Sequence, residues 1–384
     1  MLKRNLGLNT ICTHEGAVKD ITHGGATSPI YLSTSYEFIG KDSKRYPRYF
    51  NTPNQEYLAK KVAALEVAEA ALIFSSGMSA ITNVMLMALK SGDHAVVQND
   101  IYGGTRNFIE THFKSYGIEF SFTNDLTIKS FEDCIQENTK LIYIETPSNP
   151  MLKLVDIFAI AQLGKRSGIL TAIDNTFATP VIQKPIALGI DIVIHSATKY
   201  FGGHSDITAG VVAASNSTIE ALSDLAKDFG GNLSDFSVWM LERSMKTLGI
   251  RVRAQQKNAL KIAKFLESHP AIKKVYYPGL KTHPDHALAK LQMKGFGAML
   301  SFELSNKYRV ESFFKSLELI KPSMSLAGVE STVILPSKTS HALLSVDERE
   351  AQGITDKLIR LSVGIESKKD LIYDIKNALM HSKK

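Results

Sequence analysis

The stretch VDIFAIAQLGKRSGILTAIDNTFATPVIQKPIALGIDIVIHSATK, residues 155–199, decides the fold. Val155–Ser167 reads as an amphipathic helix. Leu170–Asp174 is a short apolar run ending on an acid, and Asp191–His195 is a second run ending on a histidine. A helix set among short, fully apolar strands implies parallel strands joined by crossovers. The rhythm extends upstream, where His94–Gln98, Ile118–Thr123 and Leu141–Glu145 read as strands and Thr105–Tyr116 as a helix. From Asn54, Leu58, Val62 and Leu65 follow at helical spacing. Ala70–Leu89 carries no charge, but Ser75-Ser76-Gly77 interrupts it, so a short strand and a buried helix are expected rather than a membrane span. The expected class is α/β, a mostly parallel sheet flanked by helices. Past about Met245 the pattern changes to a long helix, Arg251–Ser268, and the runs Lys274–Tyr277, Ala298–Leu304 and Leu358–Gly364. That change predicts a smaller C-terminal α+β domain. The expected organisation is an irregular arm over residues 1–55 that packs on a neighbouring subunit, a ligand-binding α/β domain over 56–245 and the second domain over 246–384.

Composition removes several classes. Of 384 residues, 44% are apolar and 22% charged, which is ordinary for a globular chain. The net charge of +7 comes from 45 basic and 38 acidic residues scattered among one another, so neither nucleic acid nor a membrane is an expected partner. Cys12 and Cys134 are the only cysteines, with no metal-ligand spacing around them; no metal is expected, and reduced thiols point to the cytoplasm. The N-terminus has no apolar stretch of the secretory kind.

Polar residues collect at three strand ends: Glu145 to Asn149, Asp174 to Thr176, and Ser196 to Lys199. Open α/β sheets place ligands beyond such ends. A lysine there is partly desolvated, which lowers its pKa and makes the amine a nucleophile for Schiff-base formation; surface lysines, however, vastly outnumber catalytic ones. Asp174 needs a partner if buried, such as a protonated pyridine nitrogen, or it caps a turn. Ser76-Gly77-Met78 opens a helix whose free N–H groups suit a phosphate, although glycine there equally serves tight packing. Tyr102 suits stacking on a planar ring, or core packing. Arg360, inside the apolar run Leu358–Val363, suits a carboxylate ligand or a structural salt bridge.

Taken together, these residues resemble the PLP-dependent enzymes of cysteine and methionine metabolism, the cystathionine lyases and synthases among them. The resemblance covers essentially the whole chain. It rests on Tyr46-Pro47-Arg48, Ser75–Ala80, Asp100–Thr105, Glu145–Pro150, Asp174-Asn175-Thr176, Ser196–Tyr200, Gly202–Asp206 and Arg360–Gly364 in their order and spacing. It implies the aspartate-aminotransferase-like fold (fold type I) and pyridoxal 5′-phosphate as cofactor. Lys199 would hold the cofactor covalently and act as the catalytic acid and base. Asp174 would meet the ring nitrogen, Asn149 the ring hydroxyl, and Tyr102 would stack on the ring and share in catalysis. Ser76, Gly77, Met78, Ser196 and Thr198 would bind the phosphate. Tyr46 and Arg48 would reach the phosphate of a neighbouring subunit, which implies a homotetramer built as a dimer of dimers. Arg360, Ser331, Glu330, Asn149 and Arg106 would contact the substrate.

Glu330 matches the glutamate typical of cystathionine γ-lyases and γ-synthases, and Gly104 stands where methionine γ-lyases carry a cysteine. Both favour γ-elimination or γ-replacement on cystathionine-type substrates. Cystathionine β-lyase, methionine γ-lyase, O-acetylhomoserine sulfhydrylase and, from another class, an inactive binding subunit of the same fold are the alternatives. The chain departs from the family pattern at four places: Asn107 with Arg106 one position early, an extra residue in Tyr46–Pro53, Ala327 in place of a glycine, and residues 336–341.

Overall fold

The computed structural model describes residues 6–41, 44–342 and 345–384. The chain opens with α1 (Leu8–His14) and α2 (Pro53–Glu66), and β1 (Ala70–Phe74) and α3 (Gly77–Ala88) follow. Next come β2 (His94–Val97), α4 (Gly103–Phe108), β3 (Glu119–Phe122), β4 (Thr139–Glu145), β5 (Leu170–Asp174), β6 (Ile192–His195) and β7 (Gly210–Ala214). These seven strands form one sheet in the order β1-β7-β6-β5-β4-β2-β3. The pairs from β6 across to β3 are parallel, and β7 is antiparallel to both its neighbours. The strands read from sequence recur within a residue or two. β7 was not among them: GVVAA is short, buried throughout and without alternation, so no periodicity marks it.

Local chemistry accounts for the helices around the sheet. Thr52 and Gln55 form a capping box around Pro53, which starts α2. Ser76 caps α3 through its hydroxyl, which accepts from Ser79 N–H. The helix Ile157–Ser167 starts on Asp156 and stops at Gly168, which takes the left-handed conformation. The single helix expected over Thr105–Tyr116 is instead three pieces. After α4, Ile109–Phe113 widens into a π turn and Lys114–Tyr116 closes as a 3-10 turn, which sets Phe113 fully inside.

The second sheet holds β8 (Ile272–Tyr276), β9 (Met299–Leu304), β10 (Lys321–Pro322), β11 (Thr332–Ile334) and β12 (Leu358–Ser362), in the order β10-β11-β12-β9-β8. The helices Leu248–Glu267 and Lys368–His381 pack beside it. One continuous apolar cluster runs from Leu58 and Ile73 to Phe302, Ile359 and Leu371, so the two sheets share core. Among the described residues, no helix is long and apolar enough to cross a membrane.

The N-terminal arm is less irregular than its composition implied. α1 docks on α2, where Lys61 Nζ donates to Cys12 O at 2.8 Å. Leu8, Ile11 and Cys12 recur at helical spacing, and that short apolar face packs on the core. The extra residue in Tyr46–Pro53 is absorbed by a 3-10 turn, Pro47–Tyr49. Phe50 then takes a left-handed φ of 58° and packs on Phe74 at 5.4 Å.

Candidate active site

The carboxyl ends of β1, β4, β5 and β6 point the same way, because β1 and β6 are both antiparallel to β7. The polar residues that follow these strands therefore share one edge. Glu145 and Asp174 are direct partners across β4 and β5, so their side chains lie on one face. Both are buried. Burial raises the Asp174 carboxyl above the usual range, against the lowering effect of Thr176 and His195. Glu145 is raised further by burial, and Asp174 beside it adds to the rise. Asp174 Oδ1 accepts from Thr176 N–H at 2.9 Å, and among the described residues it makes no ion pair. A cation set against that face would relieve both acids.

The turn after β6 carries Lys199. Its Nζ donates to Ser325 Oγ at 2.9 Å. Burial, and then the charge of Arg360, bring the amine down to about 8. Arg251 holds the following turn by donating to Tyr200 O at 2.8 Å and to Phe201 O at 3.3 Å. Gly203, at φ +68°, lies so close that a Cβ would meet Arg251 Nη1 at 1.9 Å. Glycine at this position is a steric requirement.

Arg360 comes from the second sheet. Its Nη1 donates to Asn149 Oδ1 at 2.8 Å and its Nη2 to Ser325 O at 3.2 Å. The side chain is 4% exposed and has no carboxylate partner among the described residues. Burial lowers it to about 10, against the raising effect of Tyr200, Glu145 and Tyr102. Ser325 thus touches both the amine and the guanidinium, and Asn149 joins the arginine to the first sheet. His341 is buried nearby and pushed down to about 4, by burial and then by Arg360. It is neutral at physiological pH.

The α3 N-terminus faces the same edge. A Cβ on Gly77 would stand 2.8 Å from Ser196 Cβ, so glycine lets the helix start press against the Ser196 turn. Ser79 N–H is taken by Ser76 Oγ, whereas the N–H groups of Gly77 and Met78 have no partner among the described residues. Ser196 N–H donates to Thr176 Oγ1 at 2.8 Å, leaving the Ser196 hydroxyl open. Thr198 Oγ1 already exchanges hydrogen bonds with Ala209 N and O. Tyr102 is 43% exposed, and its N–H donates to Glu145 Oε2 at 2.7 Å. Its ring leans over Gly104, where a Cβ would meet Tyr102 Cε1 at 2.5 Å and Met78 Sδ at 3.3 Å. A nucleophilic amine, an acid pair wanting a cation, open helix N–H groups for a phosphate and a half-exposed ring fit the parts of pyridoxal 5′-phosphate.

Two expected substrate contacts, Arg106 and Ser331, are engaged by other residues of the chain in this structure. Arg106 Nη1 donates to Asn99 O and Oδ1, its Nε pairs with Glu110 at 2.9 Å, and its guanidinium sits 4.2 Å over the Phe122 ring. Phe122 is on β3, four strands from β6, or roughly 19 Å at usual strand spacing. Arg106 is thus held by Asn99, Glu110 and the Phe122 ring. Ser331 is 1% exposed, and its hydroxyl donates to Glu366 Oε2 at 3.0 Å and accepts from Gly364 N–H at 2.9 Å. Those bonds make it a joint within the second sheet rather than a free ligand.

Glu330 is exposed and lies beside Gly328, whose added Cβ would meet Glu330 Oε2 at 3.4 Å and Ser205 Oγ at 2.8 Å. Ala327, where the family pattern has glycine, takes a φ of +69°. Its N–H donates to Ser362 Oγ at 2.7 Å, which holds the strained residue in place. Tyr46 and Arg48 contact Tyr49, Asn51 and Lys227 of the same chain, and among the described residues they have no hydrogen bond to this edge. Sequence reading assigned no role to Ser325 or Glu145. An acid ending an apolar strand was the available signal for Glu145, as it was for Asp174.

The family model described as Cys/Met metabolism PLP-dependent enzyme matches residues 9–380. The chain is 44% identical over 373 residues to a cystathionine gamma-lyase of Bacillus subtilis, covering 96% of this chain and 98% of the relative. It is 41% identical over 375 residues to a cystathionine beta-lyase of Lactococcus lactis, covering 97% and 98%. The solved cystathionine gamma-lyase from Lactobacillus plantarum complexed with L-serine superposes with a TM-score of 0.94 at 39% identity, covering 98% of this chain and 99% of the other.

Proposed function

The chain belongs to the Cys/Met metabolism PLP-dependent enzymes, and within that family we propose that it carries out γ-elimination or γ-replacement on cystathionine-type substrates. Its cofactor is pyridoxal 5′-phosphate, and it is a PLP-dependent carbon–sulfur lyase or transferase. The observation that carries the reading of the site is the pair Arg360 and Lys199, a buried cation without an acid beside a depressed amine, bridged by Ser325.

When bound, the cofactor supplies an electron sink that stabilises negative charge on carbons near the substrate nitrogen. Lys199 would hold it covalently. Its amine, brought down to about 8, would be placed to take the Cα proton of a bound substrate and to return a proton later. Asp174 would meet the ring nitrogen, and Asn149 the ring hydroxyl. Tyr102 would cover the ring. Ser76, Gly77, Met78, Ser196 and Thr198 would hold the phosphate. Arg360 grips the α-carboxylate, and Glu330 faces the distal end of the substrate. Removal of a Cβ proton with departure of the γ-substituent would leave an unsaturated product, either hydrolysed to a 2-oxo acid and ammonia or captured by a thiol.

We read residues 1–55 as an arm that crosses to a neighbour, bringing Tyr46 and Arg48 to its phosphate in a cytoplasmic homotetramer. Residues 56–245 and 246–384 are read as the two domains that close on the site. The exposed Leu32, Phe38 and Ile39 of the arm suit burial against such a neighbour.

The test is to incubate the holoenzyme with L-cystathionine, then with an O-acyl-homoserine plus cysteine, and identify products by mass spectrometry. Cysteine with 2-oxobutanoate, or cystathionine made from the ester, is the expected result. Homocysteine with pyruvate as the main products would overturn the γ-assignment and the role of Glu330.

A further inference from the structure

A buried hydrogen-bond chain, for which the family motifs supply no role, ties the strand ends of the site together from behind. Glu66, the last residue of α2, is fully buried. Its Oε1 lies 2.5 Å from His195 Nε2 and 3.2 Å from Asn175 Nδ2. Asn175 Oδ1 accepts from Gln183 Nε2 at 3.0 Å, and the same nitrogen donates to Thr146 O at 3.0 Å. One acid thus joins the ends of β6, β5 and β4, the strands that lead into Lys199, Asp174 and Asn149. Asp174 pairs in register with Ile194, so Asn175 and His195 point to the opposite face from Asp174.

A neutral strut would hold these strands equally well, and a buried carboxylate is costly unless its charge is used. Glu66 Oε2 has no hydrogen-bond partner among the described residues. The 2.5 Å contact between Glu66 Oε1 and His195 Nε2 is a hydrogen bond, and it fixes the orientation of the imidazole. The imidazole cannot swing away, because it stacks on Phe201 at 4.7 Å and 29°. The charged and titratable groups acting on Asp174 are Glu145 and Tyr143 from β4 and His195 from β6. Of these, only His195 lowers the proton affinity of Asp174. Lys184 also lies within reach of the Glu66 charge.

We propose that Glu66 and His195 are positioning residues for the cofactor, acting through the sheet to hold the Asp174 carboxylate in place and in its charged form against the ring nitrogen. The proposal rests on the reading of Asp174 given above. It goes further in making the electronics of the ring depend on an acid that touches neither cofactor nor substrate.

Glu66→Gln keeps the shape and both acceptor contacts while removing the charge. The readouts are the pH midpoint of the visible absorption of substrate-free holoenzyme, the rate of cofactor release on dialysis, and the melting temperature of the apo-protein. With less positive character behind Asp174, the midpoint should rise by about one unit. Release should quicken, and the apo-protein should melt near the parent. A parent-like midpoint and release rate, with only a lower melting temperature, would reduce the pair to a structural strut and overturn the proposal. If Glu66→Gln does not fold, His195→Gln carries the same test with the same expected rise. Asp174→Asn separates the two readings: a parent-like midpoint there overturns the ring-nitrogen role. A shifted midpoint in Asp174→Asn with none in Glu66→Gln overturns the present proposal alone.

Discussion

Replacing Arg360 with methionine tests the substrate side of the site most directly. A guanidinium has five N–H donors, and Asn149 Oδ1 and Ser325 O use only two of them. The rest are free to grip a carboxylate in two parallel bonds within a dry site. Removing one partner of a buried, hydrogen-bonded charge pair costs about 3–5 kcal/mol, so kcat/KM for an α-amino acid substrate should fall roughly 150- to 5,000-fold. An amine lacking the α-carboxylate should react with parent and variant at similar rates. Stability should behave differently. Methionine removes a buried cation that has no acid beside it in the free protein, which is favourable, while leaving two carbonyl acceptors unmet at about 1–3 kcal/mol each. The terms oppose one another, so the apo-protein should melt close to the parent. The assay is kcat and KM for both substrates, with apo-protein melting as the control. A kcat/KM within threefold of the parent, together with a large loss of stability, would falsify the argument and make Arg360 a structural residue.

The same cation bears on pH. Reconstitution of apo-protein with the cofactor needs neutral Lys199, so its rate should climb with pH and level above about 8. In Arg360→Met the midpoint should move upward yet stay below the ordinary lysine value of 10.5, because burial is the larger cause; an unmoved midpoint would separate the two residues. Arg106→Ala should leave kcat/KM within about twofold and lower stability by about 1 kcal/mol, through loss of the Phe122 and Glu110 contacts. A raised KM without a stability change would return Arg106 to the substrate.

Much of the first sheet was legible because its strands are short apolar runs closed by polar residues, and Asp174 and Lys199 stand at such closures. β7 was not legible, because GVVAA is buried on both faces and offers no alternation to read. The fates of Arg106 and Ser331 were hidden for another reason. Motif position places a residue on an element, but Phe122, Asn99 and Glu110 for one, and Glu366 with Gly364 for the other, come from separate stretches whose proximity only the fold creates. The Glu66–His195 contact spans 129 residues and had no local signal beyond a histidine at the end of an apolar run.

The link from Lys199 to Ser325 spans 126 residues, and that from Asn149 to Arg360 spans 211. Contacts of that sequence separation carry a large loop-closure cost and depend on the second sheet being in place. Without the second sheet Lys199 would still follow β6, but it would lack Arg360 and the Ser325 contact. Such a chain should form Schiff bases with aldehydes more slowly at neutral pH than the finished molecule. Nucleophilicity is thereby a property of the finished molecule, and the docking of the second sheet both completes the substrate grip and arms the lysine.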